Sequence, residues 1–69
     1  MKLYELPRDQ NIPIYGFFGL KREPITIIFG HIDGMYSYCW LKDDEEKLVH
    51  LSASTPLEKH KDGYKVVEE

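Results

Sequence analysis

The sequence predicts an all-β domain, a small antiparallel five-stranded meander that curves into a Src-homology-3-like (SH3-like), partly open barrel. Three observations predict it: β-rich runs along the whole chain, turn-forming residues between them, and the lack of any 3.6-residue apolar period. A chain of 69 residues has room for one core, so residues 1–69 are expected to form a single β domain. The alternative is a single curved sheet that dimerises to cover its second apolar face.

Five runs are rich in β-branched and aromatic residues, the types that favour strands. They are Ile12–Phe18, Ile25–Ile32, Met35–Leu41, Lys47–Ser52 and Tyr64–Val67. Turn formers separate them, at Gly19–Pro24, at Asp33-Gly34, in the charged run Lys42–Lys47 and from Thr55 to Gly63. Three glycines within or beside the strand patterns predict bends or bulges that let the sheet curve, at Gly16, Gly19 and Gly30.

The run HIDGMYSYC predicts a β-hairpin with Asp33 and Gly34 as the two loop residues of a type I′ turn, in which both have positive φ. Ile32 then pairs with Met35, and every other pair follows from that register. Alternation sorts the hairpin into two faces. One face carries Ile28, Gly30, Ile32, Met35, Ser37, Cys39 and Leu41, and the other carries Ile25, Ile27, Phe29, His31, Tyr36, Tyr38 and Trp40.

Both faces are largely apolar, and we expect the more aliphatic one to point inward. The predicted core is Ile28, Ile32, Cys39 and Leu41, with Ile14, Val49, Leu51 and Val66 from neighbouring strands. This assignment leaves at least Tyr36 or His31 partly exposed.

The net charge and the cysteine content limit the classes of binding partner and the cellular compartment that we expect. The net charge of −3 provides no field that attracts nucleic acid or an anionic membrane, so neither is an expected partner. A single cysteine, Cys39, cannot form an internal disulfide, which favours the cytoplasm. No signal-peptide pattern and no apolar run long enough for a membrane span is present.

Three segments, HIDGMYSYC, VHLSASTP and KLYELPR, together resemble short accessory proteins encoded by tailed bacteriophages. The segments cover about a third of the chain, and none is a catalytic or ligand signature. The resemblance implies a bacteriophage origin and a location in the host cell cytoplasm. It carries no activity over to any residue.

No set of residues predicts catalysis or a bound cofactor. The histidines His31, His50 and His60 lack the close Cys or His spacing of a metal motif, so no metal or other cofactor is expected. Cys39 lies among apolar neighbours and reads as a small buried hydrophobe. The segment Ser52–Pro56 predicts a turn in which the serine and threonine hydroxyls form hydrogen bonds with the local backbone. We therefore expect no enzyme activity.

The most suggestive feature is the group of aromatic and histidine side chains on the hairpin. The candidate partner-binding residues are Phe29, His31, Tyr36, Tyr38 and Trp40. Buried rings would serve the core, whereas exposed rings would suit a protein partner or self-association. The sequence therefore favours a small protein-interaction module. A nucleic-acid-associated small barrel is the alternative, and any role for the acidic run Asp43–Glu46 is left open.

Overall fold

The structure is a computed structural model that describes residues 1–18 and 23–67. Its elements are a 3-10 turn at Leu3–Glu5 and the strands β1 (Ile12–Phe18), β2 (Glu23–Asp33), β3 (Tyr36–Leu41), β4 (Asp44–Val49), β5 (Leu57–His60) and β6 (Gly63–Val66). The all-β prediction is confirmed. Helix in the described ranges is limited to the one 3-10 turn. The bend predicted at Gly19 and positions 19–22 of the predicted turn lie outside the described residues. The last two residues of that turn, Glu23 and Pro24, belong to β2 instead.

The strands form one six-stranded mixed sheet in the order β4-β3-β2-β1-β6-β5. Neighbours pair antiparallel except β1 and β6, which are parallel. The prediction of five antiparallel strands in a meander is therefore wrong, and so is the barrel, because the sheet is not closed and β4 and β5 form its edges. Likeness to SH3 domains is not confirmed. One open sheet agrees with the alternative interpretation, whose dimerisation stays a prediction.

The strand that was not predicted is β5, which has the sequence LEKH. It has a single apolar residue in a charged segment, so it lacks an alternating pattern. Tertiary bonds create it instead: the backbone of Met1 bonds Leu57 in both directions, at 2.7 and 3.1 Å. A tight turn at Lys61-Asp62, with Lys61 at φ +51°, then returns the chain into β6. The N-terminal segment thus holds the β5 side of the β5–β6 hairpin, and β6 pairs with β1.

Strand β4 also begins earlier than predicted, at Asp44, inside the acidic run interpreted as a loop. The ladder with β3 shifts register between Trp40 and Leu41, so the carboxylate-bearing residues sit at an irregular edge. Charged, irregular edges resist pairing with other chains.

The β2–β3 hairpin is confirmed, but its predicted register is wrong. The observed pair next to the turn is Asp33 with Tyr36, so Gly34 and Met35 are the loop residues. Gly34 has positive φ, +68°, as predicted, whereas Asp33 does not. Glycine at the first loop position is the pattern of a type II′ turn. A second shift occurs between Phe29 and His31, so the bulge predicted at Gly30 is confirmed, whereas Gly16 pairs regularly with Ile25.

The bulge decides which side chains of β2 are buried. Ile27 and Phe29 point into the core opposite Leu41 and Cys39, and Ile28 is displaced to the outer side. The inward assignment of Ile28 is therefore wrong, because one extra residue reverses the alternation of a strand. On β3 the predicted inward and outward side chains are confirmed, because no bulge interrupts that strand between Tyr36 and Cys39.

The core lies on the inner side of the sheet and contains Leu3, Leu6, Ile14, Ile27, Phe29, Cys39 and Leu57. Of the predicted core, Ile14 and Cys39 are fully buried, and the half-buried side chains packed on it are Ile32, Leu41, Val49, Leu51 and Val66. The 3-10 turn covers this side by inserting Leu3. This turn does not cover the outer side of the sheet, which is available as a surface.

Candidate functional site

The outer side of β2, β3 and β4 carries a group of aromatic and imidazole rings together with one leucine, here called the aromatic surface. Its members are His31, Tyr36, Tyr38, Trp40, Leu48 and His50. Strand alternation places Tyr36, Tyr38 and Trp40 on one side of β3, and Leu48 pairs with Trp40 across to β4. Tyr36 and Leu48 are 58% and 55% exposed. The surface is therefore open to a partner at both ends.

Four of the five predicted partner-binding residues belong to this surface, and the fifth does not. Phe29 is fully buried in the core, on the opposite side of the sheet, where no partner can reach it. The Gly30 bulge accounts for this separation, since it turns His31 outward while Phe29 points inward. Leu48 and His50 were not among the predicted partner-binding residues, although the places of both follow from β3–β4 pairing once the strand limits are known.

Tyr38 is the centre of the aromatic surface. The ring of His31 lies 5.1 Å from it between centroids, tilted by 33°. The ring of His50 lies 5.2 Å from it on another side, edge-on at 81°. Both separations fall within the range of favourable aromatic contacts. Two histidines therefore hold Tyr38 in place while leaving it partly exposed.

Ser37, although buried, fixes the position of His50. Its hydroxyl accepts a hydrogen bond from the Leu51 N–H at 3.2 Å and bonds the Leu51 carbonyl at 3.1 Å, which ties the segment after β4 to β3. Its own carbonyl lies 3.0 Å from Nδ1 of His50. A carbonyl can only accept, so Nδ1 donates this hydrogen bond. In the tautomer of the neutral ring that carries its hydrogen on Nδ1, Nε2 is an acceptor.

A shallow pocket of about 390 Å³ opens next to Tyr38, lined by Asp33, Tyr36, Ser37, Tyr38 and His50. Two tyrosine rings and an imidazole form its walls, and Asp33 contributes a carboxylate. Asp33 forms no ion pair with any other residue in the described ranges. The pocket thus combines aromatic rings with a carboxylate that pairs with no cation within residues 1–18 and 23–67.

Trp40 has a different role at the other end of the surface. Its ring covers Gly30 so closely that a methyl group there would lie 2.8 Å from Cζ3 of the indole and 2.9 Å from the Tyr38 carbonyl oxygen. Trp40 is therefore half-buried against the bulge. It supports the surface and presents only part of its ring to solvent.

A second pocket, of about 460 Å³, lies on β1, β5 and β6. Its two oppositely charged side chains already pair, Lys65 with Glu58 at 2.9 Å. The hydroxyl of Tyr15, which also lines it, donates to Asp62 beside the pocket at 2.6 Å. The hydrogen bond raises the pKa of Tyr15 and lowers the pKa of Asp62. This pocket offers no unsatisfied charge to a ligand, so the aromatic surface is the better candidate site.

Cys39 is buried in the core and does not line either of these pockets. Burial raises the pKa of the Cys39 thiol, an effect partly offset by its bond to the Ser37 hydroxyl at 3.3 Å. The prediction of a buried, small hydrophobe at Cys39 is confirmed. Among the described residues, no three His, Cys, Asp or Glu side chains are grouped to hold a metal ion.

The chain matches no protein-family model, no curated protein and no solved structure. Within residues 1–18 and 23–67, no helix is long and apolar enough to cross a membrane. The aromatic surface and its pocket are therefore the basis for assigning a function.

Proposed function

We propose that this chain is a small protein-interaction domain that binds a partner protein through the aromatic surface. The observation that supports the proposal is the exposure of Tyr36 and Tyr38 beside the pocket, on a hairpin held rigid by Ser37 and the two histidines. Tyrosine contributes large contact area at low cost in side-chain entropy and is enriched at the energetic centres of interfaces.

The charges around the surface favour a protein over nucleic acid. The exposed acidic residues Asp43, Glu45 and Glu46 lie at the β3–β4 turn and along edge strand β4. Single-stranded nucleic acid binding needs a cationic groove beside its stacking rings. We therefore expect binding to single-stranded DNA or RNA at about 150 mM salt to be no tighter than high micromolar.

The test begins with capture of partners by the tagged chain. The resemblance to bacteriophage accessory proteins makes a bacterial lysate the first source. A captured protein is then purified, and its dissociation constant is measured by calorimetry for the native chain and for Tyr36→Ala. We expect the substitution to weaken binding by about 1 kcal/mol or more, about fivefold in the dissociation constant.

Phe17→Ala is the matched control, because Phe17 is an aromatic of similar exposure, 52%, at the far end of the β1–β2 ladder opposite Pro24. It should leave the complex unchanged. Circular dichroism of both variants verifies that the fold is intact. A complex that is indifferent to Tyr36→Ala but weakened by Phe17→Ala would move the interface away from the aromatic surface.

A further inference from the structure

We infer that the pocket between Tyr36, Tyr38 and His50 accepts an arginine side chain from the partner protein. The inference rests on the proposed function and specifies the chemistry of the contact. The pocket is the place on the aromatic surface where rings and a carboxylate line the same cavity.

The walls of the pocket suit a planar cation. Cations are attracted to the faces of tyrosine rings, and guanidinium does so more often than ammonium because it also stacks. Tyr36 and Tyr38 are separated by one residue on β3, so strand alternation puts both rings on the same side. The His31 and His50 contacts limit the movement of Tyr38, so little side-chain entropy is lost on binding.

Two groups that line the pocket can accept hydrogen bonds from a cation. Asp33 offers carboxylate oxygens at the pocket rim, and His50 offers Nε2, because its Nδ1 hydrogen bonds the Ser37 carbonyl. Guanidinium carries five N–H donors and no acceptor, so it complements this set. The net charge of −3 favours the approach of a basic segment.

A blocked tripeptide with arginine between two glycines is the probe, titrated into the full chain and followed by NMR of the tyrosine and histidine ring signals. We expect saturable shifts at Tyr36, Tyr38 and His50 with a dissociation constant in the millimolar range, on the order expected for one side chain. The same tripeptide with citrulline, which is planar but neutral, should bind at least about fivefold more weakly, since it loses the cation.

Asp33→Asn and Asp43→Asn make the matched pair of variants, because both remove one exposed carboxylate near a β-turn and change the net charge equally. Asp33→Asn should weaken the arginine tripeptide by roughly three- to tenfold. Asp43→Asn, whose side chain does not line this pocket, should have little effect. Equal effects of the two variants would show general electrostatic attraction and overturn the inference.

The outcomes separate this inference from the proposed function. No saturable shift up to about 50 mM tripeptide, or equal binding of the citrulline form, overturns the arginine pocket. If the affinity of a purified partner complex still depends on Tyr36 in that case, the proposed function is supported and only the assignment of arginine to the pocket is wrong. If arginine binds the pocket but no partner complex depends on Tyr36, the pocket stands and the proposed function fails.

Discussion

Gly63→Ala tests the least expected feature of the fold, the parallel contact between β6 and β1. Gly63 is buried where β6 begins, next to Pro13. A methyl group on Gly63 would overlap the Pro13 carbonyl oxygen and lie 2.8 Å from its Cγ and 2.9 Å from its carbonyl carbon. These neighbours are backbone and a proline ring, which cannot rotate away. The two strands would have to separate to admit the methyl.

The cost follows from that separation. Overpacking a rigid contact costs about 1–3 kcal/mol. The parallel ladder contains only the pairs Ile14 with Tyr64 and Tyr15 with Lys65, and each hydrogen bond lost from it costs about 1 kcal/mol more. We therefore expect a loss of roughly 3–5 kcal/mol in the free energy of unfolding. A domain of 69 residues has about 3–10 kcal/mol in total, so much of the variant would be unfolded.

Gly34→Ala is the matched control, since both substitutions add one methyl and change the unfolded chain alike. At Gly34 nothing lies within 4 Å, and only the positive φ of +68° opposes the methyl, at about 1–3 kcal/mol. Urea unfolding followed by Trp40 fluorescence and thermal unfolding by circular dichroism measure both. The control should lower Tm by about 4–8 °C per kcal/mol. If Gly63→Ala costs no more than Gly34→Ala, the approach of β6 to Pro13, and with it the strand order, is refuted.

Three further predictions concern the core and the second pocket. Leu57→Ala should lower the free energy of unfolding, measured in urea, by about 2–5 kcal/mol, because Leu57 is 2% exposed. Its control is Leu48→Ala, at a residue that is 55% exposed, and it should lower the same free energy by less than about 1 kcal/mol. Equal losses would contradict the assignment of β5 to the core. The Cys39 thiol should react with a thiol reagent at neutral pH only as fast as the protein unfolds, since burial raises its pKa and blocks access; rapid reaction of the folded protein would contradict its placement. The Tyr15–Asp62 bond should stabilise the fold fully at pH values above the pKa of an unfolded aspartate and below the pKa of an unfolded tyrosine. This stabilisation should be lost as the pH falls through the lowered pKa of Asp62, and also as the pH rises through the raised pKa of Tyr15. In Asp62→Asn the pKa of Tyr15, followed by NMR, should move down toward its ordinary value, and an unchanged Tyr15 titration would show that the bond does not form in solution.

The sequence by itself determined the all-β class, the limits of β1 at Ile12–Phe18, the hairpin centred near Gly34 and the outward side of β3. These features depend on neighbours in the chain: β-branched and aromatic runs favour strands, glycine permits a positive φ, and alternation sets the sides of an uninterrupted strand. The exposure of Tyr36 and the burial of Cys39 followed from the same alternation.

Tertiary structure alone decided the register, the sixth strand and the composition of the site. The Gly30 bulge reversed the sides of β2 and buried Phe29, because one inserted residue reverses the alternation of every position on the side of the bulge away from the turn. The glycine indicated a bulge in the sequence, but not its effect on the pairing register. Strand β5 exists through its bonds to Met1 and to β6, which are distant in sequence. The hydrogen bond from His50 to the Ser37 carbonyl placed the His50 ring beside Tyr38, and so brought to the pocket a side chain that no sequence pattern connected with the hairpin.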